Sequence, residues 1–449
     1  MKTQIELIPD NLKETISASV GAAEDALFFD IESTGLSPKS AQVYLIGCAA
    51  MEGGDWVLRQ WFAQGPCEEE AILEAFLKYA GQFRRLIHFN GTTFDLPFLQ
   101  TRCRKYGLRS PLPDMEQLDL YRRISPLKNA LKLPNCRQKT LEEFLGIFRE
   151  DPFNGGQLIE LYRVYVGRQD ERLLKVLLLH NADDIRGMLS ILPVLSFPAL
   201  FSGGVQAQGA EVSSYTPYAE GTGQMQDSAP LSHTAGSSRR LSQPAQKELL
   251  IRLTLDCPLP VPLAVHGNGC FFSGEGKTGL LKVPVIQDEL KYFYPDYKNY
   301  SYLPAEDRAI HKSVAIYVDK SCRVPATPET CYTRKTGEFA PLPGISSGTR
   351  KKDASARVDT DLFSHVFRRS AKGKEAFLLL EEILPQNEKL CGNEMVYGNE
   401  KAYENETVYG NENERGRAAS APAPADGAAS SPSRMTEYAR LVLAGMQKQ

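Results

Sequence analysis

ALFFDIESTGL, residues 26–36, is the stretch whose reading decides the fold. Its first four residues, Ala26–Phe29, form an apolar run that reads as a buried strand. Asp30 and Glu32 follow two positions apart, and strand alternation puts both carboxylates on one face. Two acids ending so apolar a strand are costly unless they face a cleft. Two more acidic segments lie downstream, HFNGTTFDLPFL at 88–99 and HNADDI at 180–185. In the first, a strand over Leu86–Phe89 delivers Asn90 to a Gly91–Thr93 turn. Asp95 then opens a helix, where backbone N–H groups hold a carboxylate. In the second, His180 and Asp184 stand four apart on a helix, sharing a face with Leu177, Met188 and Ile191. Asp183 lies about 100° around that helix and is expected to meet solvent or Arg186.

Gathered in one pocket, Asp30, Glu32, Asp95 and Asp184 would repel one another and stay partly protonated unless divalent cations neutralised them. The chemistry that suits such a group is phosphodiester cleavage.

DIESTGL resembles the first motif of DnaQ-like (DEDD) exonucleases, written DxETTGL. FNGTTFDLPFL is similar to their second motif and HNADDI to their third. More narrowly, residues of about 24–195 resemble the bacterial YprB-type ribonuclease H-like group. The resemblance implies an α/β fold, a ribonuclease H-like mixed sheet flanked by helices. It implies a hydrolase that shortens single-stranded DNA or RNA from the 3′ end with two Mg²⁺ or Mn²⁺ ions. Asp30, Glu32, Asp95 and Asp184 would be the metal ligands, and Thr34, Gly35, Leu36, Asn90 and Phe94 the substrate contacts. In one respect the chain departs from the pattern. The superfamily divides into Tyr-x-x-x-Asp and His-x-x-x-x-Asp classes, whereas His180-x-x-x-Asp184 carries a histidine at the tyrosine spacing. Imidazole takes up a proton near neutral pH, so His180 still suits a general base. Two alternatives stay open: an endonuclease of the same fold, and a nucleic-acid-binding scaffold with a weak or inactive site.

At 449 residues the chain exceeds the roughly 250–300 that one core supports, so two domains are expected. The net charge of −3 gives no global attraction to nucleic acid, so any such attraction must be local. Nine cysteines without a CxxC pair argue against a disulfide framework or a zinc knuckle and point to a reducing cytoplasm. MKTQIELIPD carries no apolar signal core, and Leu189–Phe201, broken by Pro193 and Pro198, falls short of the about 20 residues a span needs. A cytoplasmic protein without membrane segments is therefore expected.

Residues 1–20 read as an N-terminal extension and 21–200 as the nuclease-like domain. That domain has strands at Gln42–Ala50 and Trp56–Phe62, and helices at Glu68–Ala80, Asp95–Tyr106 and Glu171–Ile191. The Gly/Ser/Gln/Ala-rich stretch 201–246 reads as a flexible linker. Residues 247–385 read as a small α+β accessory domain, with strands from Leu249 and at Leu280–Ile286, and helices at Ala305–Val318 and Lys374–Leu384. Residues 386–434, with a hexad repeat over 391–414, read as low-complexity disorder, and 435–449 as a C-terminal helix docking Tyr438, Leu441 and Val442.

A basic cluster runs through Arg102, Arg104, Lys105, Arg109, Arg122, Arg123, Lys128, Lys132, Arg137 and Lys139; it is either a phosphate track or a solvated helix face. The tyrosine-rich KYFYPDYKNYSYLP at 291–304 reads as a small core or as a stacking surface for bases. GEGKTG at 274–279 lacks the first glycine of a phosphate-binding loop, since position 271 is Phe.

Overall fold

The computed structural model describes residues 1–20, 23–149, 155–215, 246–343, 362–384 and 433–447. Lys2–Leu7 (β1), Ala26–Ser33 (β2), Val43–Glu52 (β3), Asp55–Phe62 (β4), Arg85–His88 (β5) and Glu116–Asp119 (β6) form one sheet, ordered β1-β4-β3-β2-β5-β6. The first four strands pair antiparallel, while β5 and β6 join parallel, so the sheet is mixed. Helices Asp10–Val20 (α1), Glu69–Ala80 (α2), Asp95–Tyr106 (α3), Leu120–Ile124 (α4), Gln138–Phe144 (α5), Gly155–Arg168 (α6), Glu171–Ser190 (α7) and Ser196–Phe201 (α8) accompany it.

Both faces of the sheet are covered, which is why β2 and β3 read as apolar runs rather than as alternating sequence. Leu27, Phe29 and Ile31 pack with Ile72, Phe76, Phe98 and Leu99 of α2 and α3. Phe28, Ala49 and Leu58 face the other way, towards Ala182 and Ile185 of α7. Fully burying each such Leu, Ile or Phe contributes about 1.5–3 kcal/mol. By length and composition the helical run Glu171–Phe201 would suffice to cross a membrane, but 61% of its apolar window is buried, as in a core helix.

Residues 1–20 are not an extension. β1 continues the sheet by pairing with β4 from Lys2↔Phe62 to Leu7↔Val57, and Ile16 of α1 is fully buried. The residues of β1 are largely exposed, so no apolar pattern marks it, and its backbone hydrogen bonds to β4 supply the stability.

The C-terminal half is rich in sheet. Val205–Tyr215 (β7), Gln246–Gly267 (β8) and Cys270–Phe293 (β9) lead into Tyr300–Leu303 (β10), Arg308–His311 (β11), Val324–Pro325 (β12), Tyr332–Pro341 (β13), Phe367–Arg368 (β14) and Phe377–Leu379 (β15). The main sheet runs β13-β15-β14-β9-β8-β7, and β11-β10-β12 forms a small one. Lys312–Ala315 (α9), Leu380–Ile383 (α10) and Arg434–Met446 (α11) complete the described elements. Ser433 caps α11, and Tyr438 of α11 is fully buried, its hydroxyl donating to the Pro341 carbonyl at 2.7 Å.

Three expectations for this half are corrected. The supposed linker 201–246 contains β7, a strand whose polar residues conceal it while Val205 and Val212 pack inward. Residues 216–245, the hexad repeat and most of 386–434 lie outside the described residues. Ala305–Val318 is not one helix; only the single turn α9, Lys312–Ala315, is helical there. Asp307 turns left-handed (φ 47°), with Tyr302 and Tyr332 donating to its carboxylate, and β11 folds back on β10. Lys374–Leu384 divides into β15 and the one-turn α10, because Phe377 and Leu379 pair with β13. Nor are the two cores separate. One apolar cluster runs from Ile8 through Phe197 and Phe201 of α8 to Leu253, Phe272 and Val442.

Candidate active site

Sheet register assembles the site. Asp30 of β2 lies opposite Gly47 of β3, which lies opposite Gln60 of β4, so the three form one row beneath α7. A Cβ on Gly47 would stand 2.0 Å from Asn181 Oδ1; its absence lets α7 lay that amide across the row. Asn181 Nδ2 donates to Asp30 Oδ2 at 3.1 Å. Gln60 Nε2 in turn donates to Asn181 Oδ1 at 2.9 Å and to the Leu178 carbonyl at 2.8 Å. This clamp fixes the rotation and height of α7. His180 Nε2 then lies 3.6 Å from Glu32 Oε1 and 3.2 Å from Asp184 Oδ2. Glu32, His180 and Asp184 each offer an atom within a 4.8 Å group. A break in register between Glu32 and Ser33 turns the chain away from the sheet just past the acids.

Asp95 opens α3, buried, its carboxylate held by the backbone N–H of Asp95 itself and of Ile31. Burial, with the nearby charge of Asp119, pushes its carboxyl up to about 7. Burial also raises Asp30 well above the usual carboxylate range, followed by the charges of Asp184, Asp95 and Glu32. Of the four acids singled out in the sequence, Glu32 and Asp184 share the group with His180; Asp30 and Asp95 lie outside it, though Asp30 feels the charges of the other three. Asp184 moves the other way. Burial pushes it up, but the hydrogen bond and charge of His180, joined by Arg149, hold it below the usual range. Asp183 points aside onto Arg186 at 2.7 Å.

The expected turn at Asn90–Thr93 is held by Asp119 and His88, whose roles no local pattern shows. Asp119, at the end of β6, accepts the N–H groups of Asn90 at 2.9 Å and Thr92 at 3.3 Å, and caps α4. Asn90 takes a left-handed φ of 60°. Gly91 presses on the His88 ring, donating its N–H to Nδ1 at 3.1 Å; a Cβ there would lie 2.8 Å from the ring. Burial keeps the His88 pKa below the usual histidine value, so the ring stays neutral and able to accept.

Of the expected substrate contacts, Thr34 closes its loop through paired bonds with Gln42, each 2.9 Å. Gly35 accepts from Ser33 Oγ at 2.8 Å, and Leu36 stands 83% exposed. Asn90 Oδ1 accepts from Thr93 Oγ1 at 2.6 Å, and Phe94 packs on Phe98 with ring centroids 5.5 Å apart. Thr34 and Leu36 line an open groove of about 760 Å³ together with Gln42, Tyr162 and Arg163. Arg102 is no part of a phosphate track. It is buried on Glu69, with Nε 2.7 Å from Oε1, and holds the Pro38 carbonyl at 3.0 Å. Glu69 receives the Val43 N–H at 2.8 Å and the Tyr106 hydroxyl at 2.7 Å, so this network anchors the loop that carries Thr34–Leu36.

Asn181 sits within HNADDI with no charge to single it out, while Gln60, Asp119, Glu142 and Arg149 carry no local sequence signal. Arg149 pairs with Asp184 Oδ1 and with both oxygens of Glu142. Hard carboxylate oxygens beside one imidazole form a donor set that could hold a divalent metal ion.

A mixed sheet in this strand order, covered by helices and carrying acids from β2, α3 and α7, defines a ribonuclease H-like domain. Residues 27–196 match the family model described as RNase_H superfamily. The chain is 30% identical over 183 residues to the uncharacterized protein YprB of Bacillus subtilis (strain 168), a match covering 40% of this chain and 44% of YprB. Residues 27–196 thus form a ribonuclease H-like domain similar to part of YprB, and the chain spans less than half of that relative's length. Among solved structures it is similar to the family B DNA polymerase of Pyrobaculum calidifontis (17% identity, 39% of this chain and 26% of that one, TM-score 0.32). It is also similar to a zinc-bound complex of E. coli exonuclease I with single-stranded DNA (17% identity, 34% and 43%, TM-score 0.24).

Proposed function

We propose that this protein is a metal-dependent nuclease, a 3′→5′ exonuclease acting on single-stranded DNA or RNA. One observation supports the reading: Glu32, His180 and Asp184 offer atoms within one 4.8 Å group, beside the buried Asp30 that Asn181 holds. In this reading Asp30, Glu32, Asp95 and Asp184 hold two Mg²⁺ or Mn²⁺ ions. When bound, such ions supply a lowered water pKa and charge stabilisation at the leaving oxygen. The protein's own groups do the rest. Asp184 orients the imidazole of His180 from 3.2 Å, and His180 accepts the proton of the attacking water. Asn181 keeps Asp30 Oδ2 turned into the pocket. Thr34, Gly35, Leu36, Asn90 and Phe94 line the approach and contact the terminal nucleotides. A reducing cytoplasm suits the free thiols among the described residues.

Purified protein with Mg²⁺ or Mn²⁺ should shorten end-labelled oligonucleotides, and Asp30→Asn should abolish the shortening. Cutting of a circular single strand would instead identify an endonuclease. A second reading, a nucleic-acid-binding scaffold, draws on the histidine at position 180 and on the Arg149–Asp184 pair. It predicts oligonucleotide affinity without turnover at any pH with either metal, and equal cleavage by wild type and Asp30→Asn would refute the catalytic assignment.

A further inference from the structure

Asp184 differs from its companions in already having a cationic partner. The loop after α5 brings Arg149 back onto α7, where its guanidinium bonds both oxygens of Glu142 and reaches Asp184 Oδ1 with its remaining Nη1. Asp184 Oδ2 faces His180 Nε2 at 3.2 Å, so nitrogen atoms stand at both oxygens of this one carboxylate. The arrangement is built rather than incidental. The Arg149 side chain is 10% exposed and that of Glu142 only 1%. Gln138 Nε2 ties α5 to α7 by donating to the Asp184 carbonyl at 2.8 Å and to Glu142 Oε1 at 3.1 Å. Gly187, three residues beyond Asp184, makes the room: a Cβ there would stand 2.2 Å from both Arg149 Nη2 and Glu142 Oε1.

We propose that Arg149 is a resident counter-cation for Asp184, competing with the divalent ion for that carboxylate and withdrawing onto Glu142 when the site loads. The inference rests on reading Asp184 as a metal ligand. Glu142 gives Arg149 a buried ionic partner in both states, so withdrawal strands no charge. Without Arg149, four converging carboxylates would repel more strongly in the empty site. With it, the empty site is stabilised and the affinity for cations is correspondingly lowered, because two ligands competing for one group oppose each other reciprocally.

The test is Mn²⁺ binding by calorimetry on the full chain without nucleic acid, with melting temperature as a second readout. Arg149→Gln is made together with Glu142→Gln, since Glu142 alone would be an unpaired buried charge. Gly187→Ala is the second variant: it keeps both charges but pushes the guanidinium off α7. Both variants should bind Mn²⁺ about tenfold more tightly, within the usual range of coupling between two ligands. Both should also melt lower when metal-free, and the gap to wild type should narrow when Mn²⁺ is added. Unchanged or weaker affinity in both variants, with Asp30→Asn reducing uptake in the same assay, would overturn the competition and leave the proposed function standing. No Mn²⁺ uptake by the wild type, with or without an oligonucleotide, would overturn the metal reading and this inference with it.

Discussion

Gly47→Ala tests the clamp that sets α7 over the acids. The new Cβ would stand 2.0 Å from Asn181 Oδ1 and 2.8 Å from its Cγ, so Asn181 has to leave the row. Its departure breaks the bond from Gln60 and the bond to Asp30, whose raised carboxyl makes it a neutral acceptor in the metal-free protein, about 1 kcal/mol each. Residual crowding against α7 costs a further 1–3 kcal/mol or so. Replacing a strand glycine returns roughly 0.5–1 kcal/mol. The net expectation is a loss of about 2–4 kcal/mol, the bonds and the crowding both counting. Urea titration with an unchanged m-value would measure it. Asn181→Ala breaks the same bonds without the clash, so the double variant should recover about 3–5 kcal/mol relative to additivity, the bonds being lost only once and the crowding relieved. A Gly47→Ala protein within about 0.5 kcal/mol of wild type, or strictly additive single changes, would refute the reasoning.

Three further outcomes are expected. Burial and mutual repulsion raise Asp30, and Asp95 to about 7. The metal-free native state therefore binds more protons than the unfolded chain between the ordinary carboxylate range and pH 7, and it should lose stability as pH rises through that window. Melting temperatures from pH 4.5 to 8 would show the slope, and saturating Mn²⁺ should flatten it. The lowered Asp184 acts only below the ordinary carboxylate range, outside this window, while the lowered His88 opposes the slope near the ordinary histidine value without matching two raised carboxyls. Arg102→Met leaves Glu69 buried and unpaired and should cost about 3–5 kcal/mol by chemical denaturation, whereas pairing it with Glu69→Gln should restore part of that loss. Asp119→Ala removes the acceptor for the Asn90 and Thr92 N–H groups and should cost about 1–3 kcal/mol; cleavage should fall more steeply than folding if the turn aims Asp95.

What the sequence determined by itself was local. An apolar run ending in Asp-x-Glu, a turn opening a helix at Asp95, and His180 and Asp184 on one helical face are periodicities of 2 and 3.6 residues, legible without knowing any partner. The tertiary structure decided what depends on neighbours. β1 and β7 are strands because β4 and β8 offer them backbone partners, although their own side chains are largely polar. Arg102 left the surface because Glu69 awaited it, and the tyrosine-rich segment curled about Asp307 instead of continuing into a helix. Asn181, Gln60 and Gly47 became one clamp only when register set Asp30, Gly47 and Gln60 side by side. Arg149 reached Asp184 through a gap that only the packing of α5 on α7 creates. Alternation and helical spacing are written along the chain, whereas register, burial and charge pairing arise only where distant segments meet.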